Sequence, residues 1–349
     1  MKKLLYLFFI AFGLQACTKA FIGGQPEVSP RDVFEELWQQ INLKYSYMQY
    51  KGLDWEAVYA TYSPQINPNM TDIELFRVLE AMMNELRDGH ANLVAPFSIS
   101  NYYPVFLNSP ENFRGRLVLE HYLRRNPQEH FITGPFQHTV LDTLGKKIGL
   151  LTYRSFSSGF SSADLDFIFS RFQNVDGVIV DMRSNGGGAV NNVFQLAGRF
   201  TDVERLSHYN VMKTGPGPDD FGSEKLIRVV PSSSAIRFTG RVAMLTNRGS
   251  YSATSDFALQ MRALPNARLI GDTTGGGLGL PHGASLINGW SYRFSVGMAL
   301  SPETDANGNR YNWEDGIPPQ IRVDLDLVQA EQGFDSMIER AIAYIMNGN

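Results

Sequence analysis

A single cysteine, Cys17, serves all 349 residues. One thiol cannot close an intramolecular disulfide, so the fold has to be held by its own core. Metal-ligand spacing is missing too: no H-E-x-x-H and no paired Cys/His pattern occurs, and neither a metal nor another cofactor is expected. Runs of positive charge are absent. With 31 Lys+Arg against 35 Asp+Glu the formal net charge is -4, and no basic stripe interleaved with aromatics marks a nucleic-acid partner. Beyond the N-terminal segment, no stretch approaches the roughly eighteen apolar residues of a membrane-spanning helix. Lysine stops at Lys225, so no later lysine can act as a base.

What is present begins with a short leader. Met1–Cys17 has Lys2-Lys3, an apolar stretch from Leu4 to Leu14, and then Leu14-Gln15-Ala16-Cys17. The apolar part is too short to span a bilayer and has the flanks of an export signal. Its ending resembles a bacterial lipobox. The expectation is a lipoprotein signal peptide over 1–16, with Cys17 lipidated as the first mature residue and the protein tethered to a membrane of the cell envelope. Loss of Lys2 and Lys3 carries the charge from -4 to about -6. Residues 17–28 read as a linker. With 43% hydrophobic content, the remainder has material for one large core and a smaller unit.

Residues 29–100 read as an N-terminal helical subdomain. Ser29-Pro30 opens a helix with Val33, Leu37, Ile41 and Leu43 on its apolar face, and a short helix covers Asp54 to Tyr62. Thr71 and Glu74 form a capping box ahead of Leu75, Leu79, Met82, Met83 and Leu86. That helix runs into Asp88-Gly89-His90, with Gly89 placed for a left-handed cap and His90 leaving on a tight turn. Residues 101–140 read as a connecting region with little regular structure as far as Pro135. From 141 to 349 the pattern is alternating α/β: a hairpin around Leu144-Gly145-Lys146, a helix capped by Ser162, a buried strand Val178–Met182, and a helix through Val193, Leu196 and Phe200. Strand Val242–Leu245, a helix after Ser252 and strand Leu269-Ile270 repeat the arrangement. An Asn288-Gly289 hairpin, a late strand Ile321–Leu325 and a closing helix Phe334–Met346 complete the chain.

Two strand-to-helix junctions carry small residues: Asp181-Met182-Arg183-Ser184-Asn185-Gly186-Gly187-Gly188, and Asn247-Arg248-Gly249-Ser250-Tyr251-Ser252-Ala253. In a parallel sheet both open at the carboxyl edge, where ligands bind. Three successive glycines cost backbone entropy, so positive φ or a close backbone approach is expected there. No Lys-Ser or Lys-Thr follows them, which argues against phosphate binding. Gly275-Gly276-Gly277-Leu278-Gly279 precedes Pro281 and a hairpin rather than a helix, which removes a dinucleotide fingerprint. Ser252 at a helix start reads both as an ordinary N-cap and as a nucleophile beside unpaired N–H groups. A base for it would come from six histidines: His90, His121, His130, His138, His208 and His282. His90 stands apart through its Asp-Gly-His turn.

These motifs, in the order Leu86-Arg87-Asp88-Gly89-His90, Asp181–Gly188, Asn247–Ala258, Gly271–Gly277 and Glu314-Asp315-Gly316-Ile317-Pro318-Pro319, resemble those of the C-terminal-processing and tricorn serine peptidases, family S41. The resemblance runs from Ser29 to the C-terminus and implies a ClpP/crotonase-like spiral core of ββα units. It also implies hydrolysis of peptide bonds in a polypeptide or peptide substrate. Residue by residue it puts Ser252, not Ser250, at the nucleophile, His90 at the base and Glu314 at the supporting acid. Gly187 or Gly188, with Ala253, falls at the oxyanion hole. The processing branch uses a lysine where this chain has Gly277, so its lysine mechanism is excluded. Ser255 stands where many relatives have glutamate, and Gln320 where aspartate is common. No PDZ-like domain precedes the core. A peptide-binding pseudo-peptidase on the same scaffold is the alternative, and a glycosidase pairing Asp181, Asp272 and Glu314 is a weaker rival.

Overall fold

The computed structural model describes residues 28–102 and 109–348. The expected signal peptide, Cys17 and the linker up to Glu27 lie outside the described residues. Helix α1 (Pro30–Lys44) and helix α3 (Asp72–Asn84) each start on a capping box, Ser29 with Asp32 and Thr71 with Glu74, and α2 (Trp55–Tyr62) is capped by Asp54. Their apolar faces meet over Phe34, Leu37, Ile41, Leu75, Leu79 and Met82, all buried. Strands β1 (Asn92–Ala95) and β2 (Ser98–Ile99) follow.

The stretch expected to lack regular structure contains a good deal of it. A helical turn α4 (Gly115–Val118) continues to Leu123, and strands β3 (Phe131–Thr133) and β4 (Phe136–Thr143) join the central sheet. Leu117, Val118, Tyr122 and Leu123 are buried against that sheet. No PDZ-like unit occurs among the described residues here. β4 pairs with β5 (Lys146–Thr152) across Leu144-Gly145, both at positive φ as a tight hairpin turn requires. Helix α5 (Ser162–Arg171) is capped by Ser161, one residue before the expected Ser162.

Next come β6 (Gly177–Asp181), α6 (Val190–Ala197), β7 (Arg205–Met212), β8 (Lys225–Val229), β9 (Arg241–Thr246), α7 (Ala253–Arg262) and β10 (Ala267–Gly271). β11 (Pro281–Ser285), β12 (Ser291–Ser295), β13 (Gly297–Thr304), β14 (Arg310–Asn312), β15 (Ile321–Arg322), α8 (Leu327–Glu331) and α9 (Ser336–Asn347) close the chain. The central sheet runs β15-β10-β9-β6-β5-β4-β3, parallel from β15 to β5 and antiparallel beyond. Its middle strands are buried on both faces, as parallel strands between helices must be. The fold is α/β with a helical N-terminal part, and β11-β12 pairs with β1 so that Trp290, Tyr292 and Phe294 pack into the helical core. Among the described residues no helix is long and apolar enough to cross a membrane.

Beneath the sheet's carboxyl edge, Arg183 is fully buried between Asp181 and Asp335, donating to both carboxylates at 2.9 Å. The pairing ties the β6–α6 loop to the start of α9, and Arg154, also paired with Asp181, matches the second carboxylate charge.

Candidate active site

Both junctions open at the carboxyl edge of the sheet, side by side. Ser250 does not face the opening: its hydroxyl is buried and donates to Met182 O at 2.9 Å, joining one junction to the other. Ser252 does. It occupies the cap position of α7, yet its side chain caps nothing, and its backbone is left-handed at φ 56°, ψ -120°. The expectation of an ordinary N-cap is therefore corrected: the unusual backbone swings the hydroxyl away from the helix and toward His90. Ser252 Oγ and His90 Nε2 are 2.9 Å apart, a full hydrogen bond between residues 162 positions apart in sequence.

The turn that delivers His90 also differs from expectation. Gly89 is not left-handed; Arg87 is, at φ 48°. Gly89 is required for another reason, since a Cβ there would lie 2.7 Å from Tyr251 Oη. Asp88 holds the turn, accepting His90 N–H at 2.7 Å on one oxygen and the Ser295 hydroxyl at 2.8 Å on the other. Lys51 Nζ braces it from outside through Leu86 O and Arg87 O. Burial pushes the His90 imidazole below its ordinary pKa, against the opposing pull of Asp88. Such a ring is neutral at physiological pH and ready to take a proton.

Glu314 reaches the same buried cluster but not the histidine. Its Oε2 accepts Gly279 N–H at 3.0 Å, and no hydrogen bond joins it to His90, whose Nδ1 has no partner among the described residues. The direct support expected from Glu314 is thus absent in this arrangement. Burial, with Asp88 nearby, pushes the Glu314 carboxyl up to about 8. The Tyr47 hydroxyl stands beside it without completing a well-formed hydrogen bond, and burial raises its pKa strongly as well.

The glycine loops have the positive φ that their composition implied. Gly187 and Gly188 lie at φ 95° and 140°, and a Cβ at Gly187 would sit 2.8 Å from Ala253 N. Gly187 N–H is committed to Asn185 Oδ1 at 3.0 Å. Gly188 and Ala253 donate no backbone hydrogen bond among the described residues, so theirs are the free N–H groups flanking Ser252. Gly276 and Gly277 bring the second loop against the serine: Ser252 N–H donates to Gly276 O at 2.9 Å, and Gly277 N–H to Glu314 O at 2.9 Å. Ser255 fastens this loop, its hydroxyl 2.7 Å from Gly276 O and 3.1 Å from Thr274 Oγ1. It therefore holds the serine's surroundings without a carboxylate. Gln320 is structural, accepting Leu269 N–H at 2.7 Å. Asp181 is spent on Arg183 and Arg154, and Asp272 on Arg322 and Asn112, which removes the paired acids a glycosidase would need.

A serine hydroxyl bonded to a neutral imidazole, beside free backbone donors at a helix start, defines a hydrolase of the serine type. Residues 147–323 match Peptidase family S41, and residues 26–84 match the Tricorn protease C1 domain. The crystal structure of a candidate peptidase from Parabacteroides merdae is 36% identical, with a TM-score of 0.82 over 93% of this chain and 98% of that one. The fold is shared with mature CPAF, at 12% identity and a TM-score of 0.65 over 92% and 98% of the two chains. It is shared also with the photosystem II D1 C-terminal processing protease, at 15% identity and a TM-score of 0.53 over 89% and 99%. The chain belongs to peptidase family S41 and is a serine peptidase.

Proposed function

We propose that Ser252 is the nucleophile and His90 its general base, in a peptidase that cleaves polypeptides or peptides. The observation that carries this reading is the 2.9 Å contact between His90 Nε2 and Ser252 Oγ. With the neutral ring protonated on Nδ1, Nε2 takes the hydroxyl proton as Oγ attacks the scissile carbonyl carbon. The carbonyl oxygen becomes an oxyanion facing the N–H groups of Gly188 and Ala253, each worth on the order of 10²-fold in rate. Gly187 shapes the loop rather than donating. Collapse of the intermediate breaks the C–N bond, and the imidazolium returns the proton to the departing amine. Water, deprotonated by the same ring, then releases the acyl group and restores the hydroxyl. Glu314 acts at one remove: its carboxyl holds the glycine loop through Gly279 N–H without touching the ring, while Asp88 offsets the imidazolium charge.

A fluorophosphonate probe is expected to label wild-type Ser252 and to leave Ser252→Ala and His90→Ala unlabelled, with peptide cleavage by His90→Ala down about 10²- to 10⁴-fold. Normal labelling and cleavage by His90→Ala refute the base assignment. The pseudo-peptidase reading predicts no labelling of the wild type at all. Cys17 is proposed as a lipid anchor to an envelope membrane; fatty-acid incorporation that persists in Cys17→Ala refutes it.

A further inference from the structure

Next to Ser252 and Ala253 opens a cavity of about 140 Å³. Its walls are apolar, with Val190 and Phe194 from α6, Ile227 from β8, and Leu278 from the glycine loop. Its floor is not. Asp256 lies one helical turn beyond Ser252 on α7, hence on the same face, and its N–H donates to Ser252 O at 3.0 Å. Among the described residues its carboxyl accepts only Gln260 Nε2, at 3.2 Å. His208 Nε2 stands 3.8 Å away, beyond hydrogen-bond reach, and both side chains are largely enclosed at 16% and 2% exposure. Asn210, lining the same cavity, has a buried amide oxygen with no partner among the described residues.

Burial raises the Asp256 pKa and lowers that of His208. The histidine therefore supplies no positive charge, and the acid is left without a cation. An apolar occupant would seal off the carboxyl with nothing to pair it, at a cost in desolvation. A side chain with an apolar stem and a cationic tip meets both requirements: methylenes against the walls and N–H donors on the floor. Lysine and arginine side chains both have this form.

We propose that this cavity is the specificity pocket for the residue whose carbonyl Ser252 attacks, and that Asp256 selects a basic side chain there. The proposal rests on the reading of Ser252 as nucleophile. It assigns Asp256 to substrate selection, outside the proton transfers of His90.

The test uses the whole protein and three reagents, a plain fluorophosphonate and two amino-alkyl diphenyl phosphonates with lysine-like or leucine-like side chains, each read by mass spectrometry at Ser252. The lysine-like phosphonate is expected to label about 10²-fold faster than the leucine-like one. In Asp256→Asn, which preserves the shape of the floor, that ratio is expected to fall at least tenfold. Equal or faster labelling by the leucine-like reagent in the wild type overturns the pocket assignment and needs no variant. Equal slowing of both reagents in Asp256→Asn overturns it too, as a merely structural residue behaves that way. Failure of all three reagents to label Ser252 overturns the nucleophile reading, and the pocket assignment with it.

Discussion

At φ 56°, ψ -120° the backbone of Ser252 occupies a region natural to glycine and strained for any residue with a Cβ. Two truncations separate this strain from the chemistry. Ser252→Ala and Ser252→Gly both delete the hydroxyl, and because that hydroxyl makes no cap hydrogen bond, neither loses a cap. Alanine keeps the Cβ and the strain, which is of order 1–3 kcal/mol. Glycine releases the strain but gives back about 0.5–1 kcal/mol through the greater freedom of the unfolded chain. Ser252→Gly is therefore expected to be the more stable of the two by up to roughly 2.5 kcal/mol, a difference in Tm of up to about 3 °C for a chain of this size. Calorimetry on the two purified variants reads the difference directly. Ser250 is the control: its φ is not positive, so Ser250→Gly should melt below Ser250→Ala. Should Ser252→Gly melt at or below Ser252→Ala, the backbone stores no strain and some other force turns the hydroxyl toward His90.

Two further expectations concern pH. His90 must be neutral to accept a proton, and burial lowers its pKa, so the acid limb of kcat/KM is expected below the ordinary value of 6.5; a limb at or above 6.5 contradicts the buried-base reading. Glu314 has a folded pKa of about 8 against an ordinary value of 4.5, so between those values the native state binds a proton that the unfolded chain lacks. Stability should accordingly fall as pH rises from about 4.5 to 8, and Glu314→Gln should flatten that slope in urea titrations. Parallel slopes for wild type and variant would show that Glu314 titrates in its ordinary range.

His90 and Ser252 were legible because each lies in a short, distinctive turn: Asp-Gly-His at the end of a well-capped helix, and a small-residue junction before α7. The conformation of those turns was not legible. Glycine advertises positive φ, as Gly187, Gly188, Gly276 and Gly277 do, but Arg87 and Ser252 adopt it without any compositional mark. The helix-cap expectation for Ser252 failed for that reason. Residues 109–139 escaped because α4 is a single turn and β3 and β4 mix polar and aromatic positions; their buried face comes from pairing into the sheet and from packing against the distant α9. Glu314 shows that a motif preserves position along the chain and not distance to a ring: it makes no hydrogen bond to His90. His208 and Asp256 went unnoticed as a pair since one lies on a strand and the other on a helix, joined only by the fold.

His90 and Ser252 adjoin different packed cores, the histidine next to Ala91 of the core with Leu79 and Met82 and the serine next to Ala253 of the core with Met244 and Phe257. Their contact lies on the seam between the two. A seam ajar by an ångström or two would leave each core intact and still dissolve a 2.9 Å hydrogen bond. Reactivity is then a property of docking rather than of either half. On the proposed roles, a copy with its seam unclosed carries both side chains without the contact that would let one activate the other.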